Sequence, residues 1–239
     1  MHPRGLHLGW STMEVAAVPD RSWEGGRKRG TIFDRRDMSV AKTMALCLAS
    51  SSPRRQRMLR DAGIDHVIAP PPIDDAALPE RLGDPAGFTM AMALFKAAQI
   101  QPVGEDGWVL AADTMAHDGK ALIGKPRDRV HARQMLTQWR GGAHDVWTGV
   151  ALVQPSTGRR WIFADRARVT LGNLADHALD AYLDSDAWKG KAGAYNYVDR
   201  LDAGWPLACD GDPCTVMGLP MRRLTPILLR LAAPRGSPC

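Results

Sequence analysis

Residues 45–55 read Ala-Leu-Cys-Leu-Ala-Ser-Ser-Ser-Pro-Arg-Arg, an apolar strand that runs directly into the start of a helix. Ser52 suits the N-cap of that helix, Pro53 suits its first position, and Gly63 suits the residue just past its end. A buried strand followed at once by a helix is typical of α/β proteins, in which the two alternate. This stretch therefore predicts an α/β fold that begins near residue 44.

Strands and helices continue to alternate along the rest of the chain. Apolar runs of strand length occur at residues 66–69, 108–112, 146–153 and 161–171. Helical patterns occur at residues 54–62, 128–139 and 175–183, from Asp84 onward and after Pro220, where Thr225-Pro226 is a potential restart. The alternation favours parallel pairing, whereas the last two strands are spaced like a hairpin. We therefore expect an α/β fold with a mixed, partly parallel sheet and flanking helices.

The composition is that of an ordinary globular protein, with 45% hydrophobic and 24% charged residues among 239. No apolar run approaches the roughly 18 residues that a membrane span needs, and no secretory signal opens the chain, so we expect a cytoplasmic protein without membrane contact. Residues 24–30 are polar, rich in glycine and without an apolar period, so residues 1–43 are predicted to be a disordered extension or to precede a translation start at Met38 or Met44. We expect one domain over residues 44–231 and a tail over residues 232–239.

The net charge of +5 is concentrated at one end of the chain. Residues 1–43 hold eight of the lysines and arginines and five of the acids, which leaves an excess of only two positive charges elsewhere. A basic surface for nucleic acid is therefore not expected on the domain, and such a role would rest on the extension alone. The four cysteines form no CxxC pair and the seven histidines form no metal motif, so neither zinc nor a disulfide is expected.

The turn between the first strand and the first helix combines three serines, residues 50–52, with Arg54 and Arg55. The N-terminus of a helix presents free amides and a partial positive charge, which attract anions. Two arginines in the first turn are unfavourable for the helix alone, but they match a bound phosphate because arginine donates bidentate hydrogen bonds. The turn therefore predicts a phosphate site, the alternative being a capped surface helix with solvated arginines.

A carboxylate and two lysines are further candidates. Asp113 and Thr114 come directly after the apolar run at residues 108–112, and an acid at the carboxyl end of a strand can bind Mg²⁺ or act as a base on water. Lys96 lies beside the apolar stripe of its helix, and Lys125 stands in a tight loop. The alternatives are a turn-forming aspartate, a snorkelling lysine and a solvated lysine.

Three other segments carry polar groups. Asp74-Asp75 can share a cation or form a polar loop. His144 stands at the start of a strand, where capping the strand and packing its edge is favoured over a chemical role. Lys189-Gly190-Lys191 suits an anion, because glycine permits close approach of the backbone.

The order of these motifs is more specific than any one of them. In chain order they are Ser52-Pro53-Arg54-Arg55, Asp75, Lys96-Ala97, Ala112-Asp113-Thr114, Gly124-Lys125-Pro126, His144-x-Val146-x-Thr148-Gly149-Val150, Gly190-Lys191-Ala192-Gly193-Ala194-Tyr195 and Val216-Met217-Gly218-Leu219-Pro220. The succession resembles the Maf family of nucleotide pyrophosphatases, and the resemblance covers about residues 45–231.

The resemblance implies a fold similar to that of inosine-triphosphate pyrophosphatases, with two lobes around a cleft. It implies hydrolysis of a nucleoside triphosphate to the monophosphate and pyrophosphate with a divalent metal cation, Mg²⁺ or Mn²⁺, modified nucleotides being one class of substrate. A homodimer is compatible with it. Asp113 would be the proton acceptor and a metal ligand, with Asp75 as a second metal ligand. The residues that would bind substrate are Ser52, Arg54, Arg55, Lys96, Thr114, Lys125 and Lys191.

Two departures from the family pattern concern the substrate. Many members carry Gly-Ile-Gln where this chain has Asn196-Tyr197-Val198, so a valine replaces a glutamine that helps to select the base, and Asp75 stands where many have glutamate. The preferred base is therefore not implied. The altered position motivates a second hypothesis, a non-catalytic nucleotide-binding regulator linked to cell division. Retention of Asp113, Lys96 and Lys125 speaks against it, because a pure binder need not keep the acid.

Overall fold

The computed structural model describes residues 44–73, 84–119 and 122–233. The predicted extension, residues 1–43, and residues 234–239 of the predicted tail lie outside the described residues, so the domain boundaries stay predictions. Within the described ranges, no helix is both long enough and apolar enough to cross a membrane.

Strands and helices alternate as predicted over most of the chain. In chain order the elements are β1 (Leu46–Leu48), α1 (Pro53–Asp61), β2 (Val67–Ile68), α2 (Pro85–Ala98), β3 (Trp108–His117), β4 (Leu122–Ile123), α3 (Arg129–Trp139), β5 (Gly142–Gln154), β6 (Arg159–Leu171), α4 (Asp176–Asp184), a 3-10 helix (Ala192–Ala194), α5 (Tyr197–Asp202), β7 (Leu207–Asp210), α6 (Pro213–Met217) and α7 (Met221–Ala232). Gly63 follows α1 with a φ of 69°, the left-handed conformation that the capping pattern predicts.

The seven strands of the described ranges form one mixed sheet in the order β2-β1-β3-β5-β6-β7, and β4 pairs with the far end of β3. β1 pairs in parallel with β2 and β3, whereas β5, β6 and β7 are joined by antiparallel pairing. β5 and β6 form the predicted hairpin. The expectation of a mixed, partly parallel sheet with flanking helices is confirmed.

β3 is longer than predicted. It continues to His117 instead of ending at Ala112, because β5 also begins earlier than predicted and pairs with β3 as far as His117 opposite Asp145. Asp113 and Thr114 therefore lie inside a paired strand. The prediction that they follow the carboxyl end of a strand is wrong, since the antiparallel partner keeps the strand going past them.

Five short elements escape prediction because each is too short to show a hydrophobic period, namely β4, the 3-10 helix, α5, β7 and α6. The side chain of Asn196 caps α5 by accepting from the Val198 amide, and the side chain of Asp212 caps α6 by accepting from the Cys214 amide. α7 runs unbroken through Pro226, so the helix does not restart there.

Side chains of the central strands point alternately to the two faces of the sheet. On one face, Leu48 and Leu110 pack with buried residues of α1 and α7. On the other face, the small side chains of Ala111 and Ala151 pack with α2. A further cluster around Trp139 joins α3, α4 and α5 to the remaining part of the sheet. The small residues on the second face permit α2 to come close.

α2 lies very close to β5 at one position. A Cβ atom on Gly149 would stand 2.2 Å from the carbonyl carbon of Thr89 and 2.3 Å from the oxygen of that residue. A side chain cannot occupy that space, so glycine is required for this approach. Thr89 is fully buried, and its hydroxyl donates to the Pro85 carbonyl at 2.9 Å. The helix is thus seated directly on the backbone of the strand.

Replacing Gly149 by alanine is expected to destabilise the protein by about 1–3 kcal/mol, because α2 or β5 must move to admit the methyl group. Urea unfolding followed by circular dichroism measures the change. Gly124→Ala is the matched control, since a Cβ there would meet nothing within 4 Å. Equal stability of the two variants would contradict the close seating of α2 on β5.

Candidate active site

A cleft of about 490 Å³ opens where the β1–α1 turn, α2, β3 and β5 meet the segments before α5 and after α6. All predicted site residues within the described ranges line it, namely Ser52, Arg54, Arg55, Lys96, Asp113, Thr114, Lys125 and Lys191. The structure therefore brings together predicted side chains from five separate segments of the chain.

Asp113 is the only carboxylate among the described residues that line the cleft. Its Oδ1 accepts a hydrogen bond from Lys96 Nζ at 2.8 Å, and the two side chains are only 13% and 5% exposed. Asp113 lies on β3 directly opposite Gly149 of β5, the point at which α2 sits on the sheet. The close seating of α2 thus carries its lysine to the carboxylate. Lys96 does not snorkel to solvent, so that alternative is wrong.

Arg55 is held by acceptors from three segments. Its Nε donates to the Gly218 carbonyl at 2.9 Å, Nη2 donates to Thr114 Oγ1 at 3.1 Å, and Nη1 donates to Ser50 Oγ at 3.2 Å. Gly218 has a φ of 104°, and a Cβ there would stand 2.9 Å from Arg55 Nε. A glycine is therefore needed for the guanidinium to reach this carbonyl. Arg55 is not a solvated arginine, and its orientation is fixed by the protein.

The start of α1 places its two arginines differently. Ser52 occupies the predicted N-cap position, but its side chain makes no capping hydrogen bond, and its amide donates to Ser50 Oγ at 3.2 Å. Arg54 is exposed, whereas Arg55 is partly buried and bonded as described. The turn therefore offers one anchored and one exposed cation to the same cleft.

Two lysine-bearing segments complete the charged part of the cleft. The Gly193 amide donates to the Gly124 carbonyl at 3.1 Å, which ties the 3-10 helix beside Lys191 to the loop that carries Lys125. Lys191 Nζ also lies 3.6 Å from Asp199 Oδ2. The cationic side chains of the lining are Arg54, Arg55, Lys96, Lys125, Lys189 and Lys191. Among the described residues, six cations with one carboxylate make this part of the cleft positive and suited to a multiply charged anion.

Neutral groups line a second part of the cleft. His144 is 4% exposed, its Nε2 lies 3.1 Å from the Tyr195 hydroxyl, and its ring packs 4.3 Å from that of Trp139. Burial lowers the pKa of His144 to about 4 against the opposing effect of Asp145, and burial raises the pKa of Tyr195. Both side chains are neutral near pH 7. His144 lies within β5, so the prediction that it caps a strand is wrong because the strand begins at Gly142.

The depressed pKa of His144 makes the free energy of unfolding depend on pH. As the pH falls from 6.5, the ordinary pKa of the side chain, to about 4, the unfolded chain takes up a proton there and the folded chain does not, so stability is lost. Between pH 6.5 and about 4, we expect the His144→Gln variant to lose about 3 kcal/mol less unfolding free energy than the wild type.

Urea unfolding across this pH range measures the effect as the difference between the two proteins. His177→Gln, which removes an exposed histidine of α4, is the control for loss of a histidine as such. Parallel pH profiles for the wild type and His144→Gln would contradict the depressed pKa.

The predicted metal ligands are Asp75 and Asp113. Asp75 lies outside the described residues, and among the described residues no group of three or more His, Cys, Asp or Glu side chains stands ready to hold a metal ion. Lys96 donates to Asp113 Oδ1, whereas no described residue donates to Oδ2. One available carboxylate oxygen fits Mg²⁺, which is commonly bound by one or two carboxylates together with substrate phosphates.

The segment that departs from the family pattern forms the start of α5. Asn196 and Tyr197 line the cleft beside Tyr195. Val198 packs instead against the hydrophobic cluster that contains Trp205. The valine thus contributes to the core, and its neighbours form the neutral part of the cleft.

Two positions of the site have no role in the prediction from sequence. Gly218 supplies the carbonyl that Arg55 binds, and Thr148, fully buried on β5, contacts Thr114 at 2.8 Å. Both stand inside motifs that identify the family, so their presence is visible in the sequence. Their partners follow from sheet register and helix placement, which the motifs alone do not reveal.

A carboxylate paired with a buried lysine among further cations is an arrangement suited to a polyanionic ligand. Residues 45–231 match the model of the family described as Maf-like protein, and the chain belongs to this family.

Three relatives carry the name dTTP/UTP pyrophosphatase. The protein of Rhodopirellula baltica is 39% identical over 186 residues, which cover 77% of this chain and 81% of the relative. That of Lacticaseibacillus casei is 39% identical over 189 residues, covering 77% and 97%. That of Salinibacter ruber is 36% identical over 180 residues, covering 75% and 87%. The predicted family is confirmed, and the predicted enzyme class, a nucleoside triphosphate pyrophosphatase, is borne out by these relatives.

Proposed function

We propose that this chain hydrolyses a nucleoside triphosphate to the nucleoside monophosphate and pyrophosphate with the help of a divalent cation. The observation that carries the proposal is the ion pair of Asp113 with buried Lys96, set in a cleft lined by further cations. The cations match a triphosphate, and the carboxylate matches the need for a group that accepts a proton from water. The names of the relatives support the same reaction.

The reaction requires a water oxygen to bond to the α phosphorus while the bond from that phosphorus to the bridging oxygen breaks. The bridging oxygen leaves with pyrophosphate, and the water proton goes to Asp113. Lys96 orients the carboxylate by donating to Oδ1. Arg55 and Lys125 stabilise the negative charge that develops on the leaving group.

Asp113 and Asp75 would hold the divalent cation, which when bound neutralises phosphate charge as a Lewis acid. The chemistry of Asp113 fits that role, because a carboxylate oxygen is the ligand that Mg²⁺ and Mn²⁺ prefer.

The neutral part of the cleft suits the nucleoside. His144 and Tyr195 are uncharged near pH 7 and hydrogen-bond to each other, so they place no charge beside an uncharged base or sugar. Because relatives are named dTTP/UTP pyrophosphatase, we take dTTP and UTP as the first candidate substrates. Modified pyrimidine or purine triphosphates follow, because Val198 is packed in the core and leaves the choice of base to other groups.

The test of the proposed reaction is a panel of common and modified nucleoside triphosphates with Mg²⁺ or Mn²⁺. We expect release of pyrophosphate, detected after coupling to an inorganic pyrophosphatase, and a matching amount of monophosphate by chromatography. Release of single orthophosphates without the coupling enzyme would overturn the proposal. Tight binding without turnover under every metal condition would favour the nucleotide-binding regulator.

Asp113→Asn is expected to lower kcat by about 10²–10⁴-fold, the range that a general base contributes. The amide oxygen can still accept from Lys96, so the fold is expected to survive, which a thermal melt checks. Asp202→Asn is the matched control, because Asp202 is exposed on α5 and does not line the cleft. Full activity of Asp113→Asn would remove this residue from the mechanism.

A further inference from the structure

A chain of hydrogen bonds leads from the cleft into the interior of the sheet. Arg55 Nη2 donates to Thr114 Oγ1 at 3.1 Å, and Thr114 Oγ1 lies 2.8 Å from Thr148 Oγ1. The Thr148 hydroxyl then donates to the Thr215 carbonyl at 2.7 Å. Thr148 and Thr215 are fully buried. These hydrogen bonds thus connect Arg55, which lines the cleft, to two residues that no ligand can touch.

The groups at the two ends of this series of hydrogen bonds fix which hydroxyl donates to which. A carbonyl oxygen only accepts, so the hydrogen of Thr148 is committed to Thr215. Thr148 must then accept from Thr114, whose own oxygen accepts from Arg55, because a guanidinium only donates. The hydroxyl of Thr114 consequently has no hydrogen left for a substrate. The Thr114 hydroxyl therefore serves to orient Arg55.

Thr148 supports a second acceptor of the same arginine. By bonding the Thr215 carbonyl it holds α6, and α6 is followed by Gly218, whose carbonyl accepts from Arg55 Nε at 2.9 Å. The Thr215 hydroxyl adds to this anchoring by donating to Asp165 Oδ2 at 2.5 Å. Two of the acceptors that orient Arg55 therefore depend on one buried hydroxyl.

We propose that Thr148 is a positioning residue for the hydrolysis, which sets the orientation of the Arg55 guanidinium without touching the substrate. This inference rests on the proposed function, because it assumes that Arg55 binds the triphosphate. Two features suit Thr148 for the task. It is paired across the sheet with Thr114, and its β-branched side chain has few rotamers, so the hydroxyl is held in one direction.

The central test compares Thr148→Val with Thr148→Ser. Valine keeps the shape and removes the hydroxyl, whereas serine keeps the hydroxyl. We expect Thr148→Val to lower kcat/KM by about 10- to 100-fold, the cost of a displaced binding group, and Thr148→Ser to retain activity within about threefold of the wild type. Equal losses in both variants would overturn the proposal.

Nucleotide binding separates positioning from loss of structure. Calorimetric titration uses the α,β-methylene analogue of the nucleotide that the panel selects, or of dTTP if nothing turns over. We expect the Kd of Thr148→Val to rise about tenfold with a full binding stoichiometry. A variant that is merely destabilised would show fewer binding sites and an unchanged Kd, and that result would overturn the proposal.

A double-mutant cycle with Arg55→Met tests whether Thr148 acts through Arg55. Once the guanidinium is absent, Thr148→Val should change the Kd by less than about twofold, because coupled residues are not additive. A tenfold change that persists in the Arg55→Met background would overturn the proposal.

If Thr148→Val does not fold, Thr114→Val breaks the same chain at a partly buried position, and the same cycle applies to it. A loss that persists without Arg55 would again overturn the proposal. Absence of pyrophosphate release by the wild type would instead overturn the proposed function, and the comparison of Kd values would still decide the role of Thr148.

Discussion

The contact between the backbone of β5 at Gly149 and α2 is the constraint on which the cleft depends. A side chain at this position would collide with the backbone of Thr89, so the helix would have to lie farther from the sheet. Lys96 is carried by that helix and reaches Asp113 at 2.8 Å. Separating the two would leave a charge with poor solvation in a nearly buried place, which is strongly unfavourable. The absence of one side chain thus decides whether the acid of the site has its partner.

Because the sheet is pleated, side chains on both of its faces contribute to the site. Asp113 and Thr114 are neighbours on β3, and their side chains point to opposite faces. Asp113 lies opposite Gly149 and meets Lys96 of α2, whereas Thr114 lies opposite Thr148 and meets Arg55 of α1. One pair of adjacent residues on each strand therefore joins two helices to one cleft. A shift of register by one residue would exchange the faces and break both contacts.

Much of the fold and of the candidate site was predictable from the sequence, because capping residues and apolar periods are local signals. The start of α1, its glycine end and the order of the motifs led to the fold and to the residues that line the cleft. The extent of β3 was not predictable, since it depends on antiparallel pairing with β5, a contact between distant segments. Burial of Lys96 depends on the seating of α2 and Gly149, and the short elements α5, β7 and α6 lack a period. Asp75 lies outside the described residues, so its metal role stays a prediction.

The unequal exposure of the charges in the cleft has a consequence for how salt affects the protein. Dissolved ions screen charges over roughly 8 Å at physiological ionic strength, but they act mainly on charges that face water. Arg54 faces water, whereas Lys96 and Asp113 are almost entirely covered. Added salt will therefore weaken the electrostatic attraction of an anion to the mouth of the cleft. It will leave the ion pair of Lys96 and Asp113 nearly unaffected. Association of the anion therefore depends on ionic strength, whereas the arrangement of the buried ion pair hardly does.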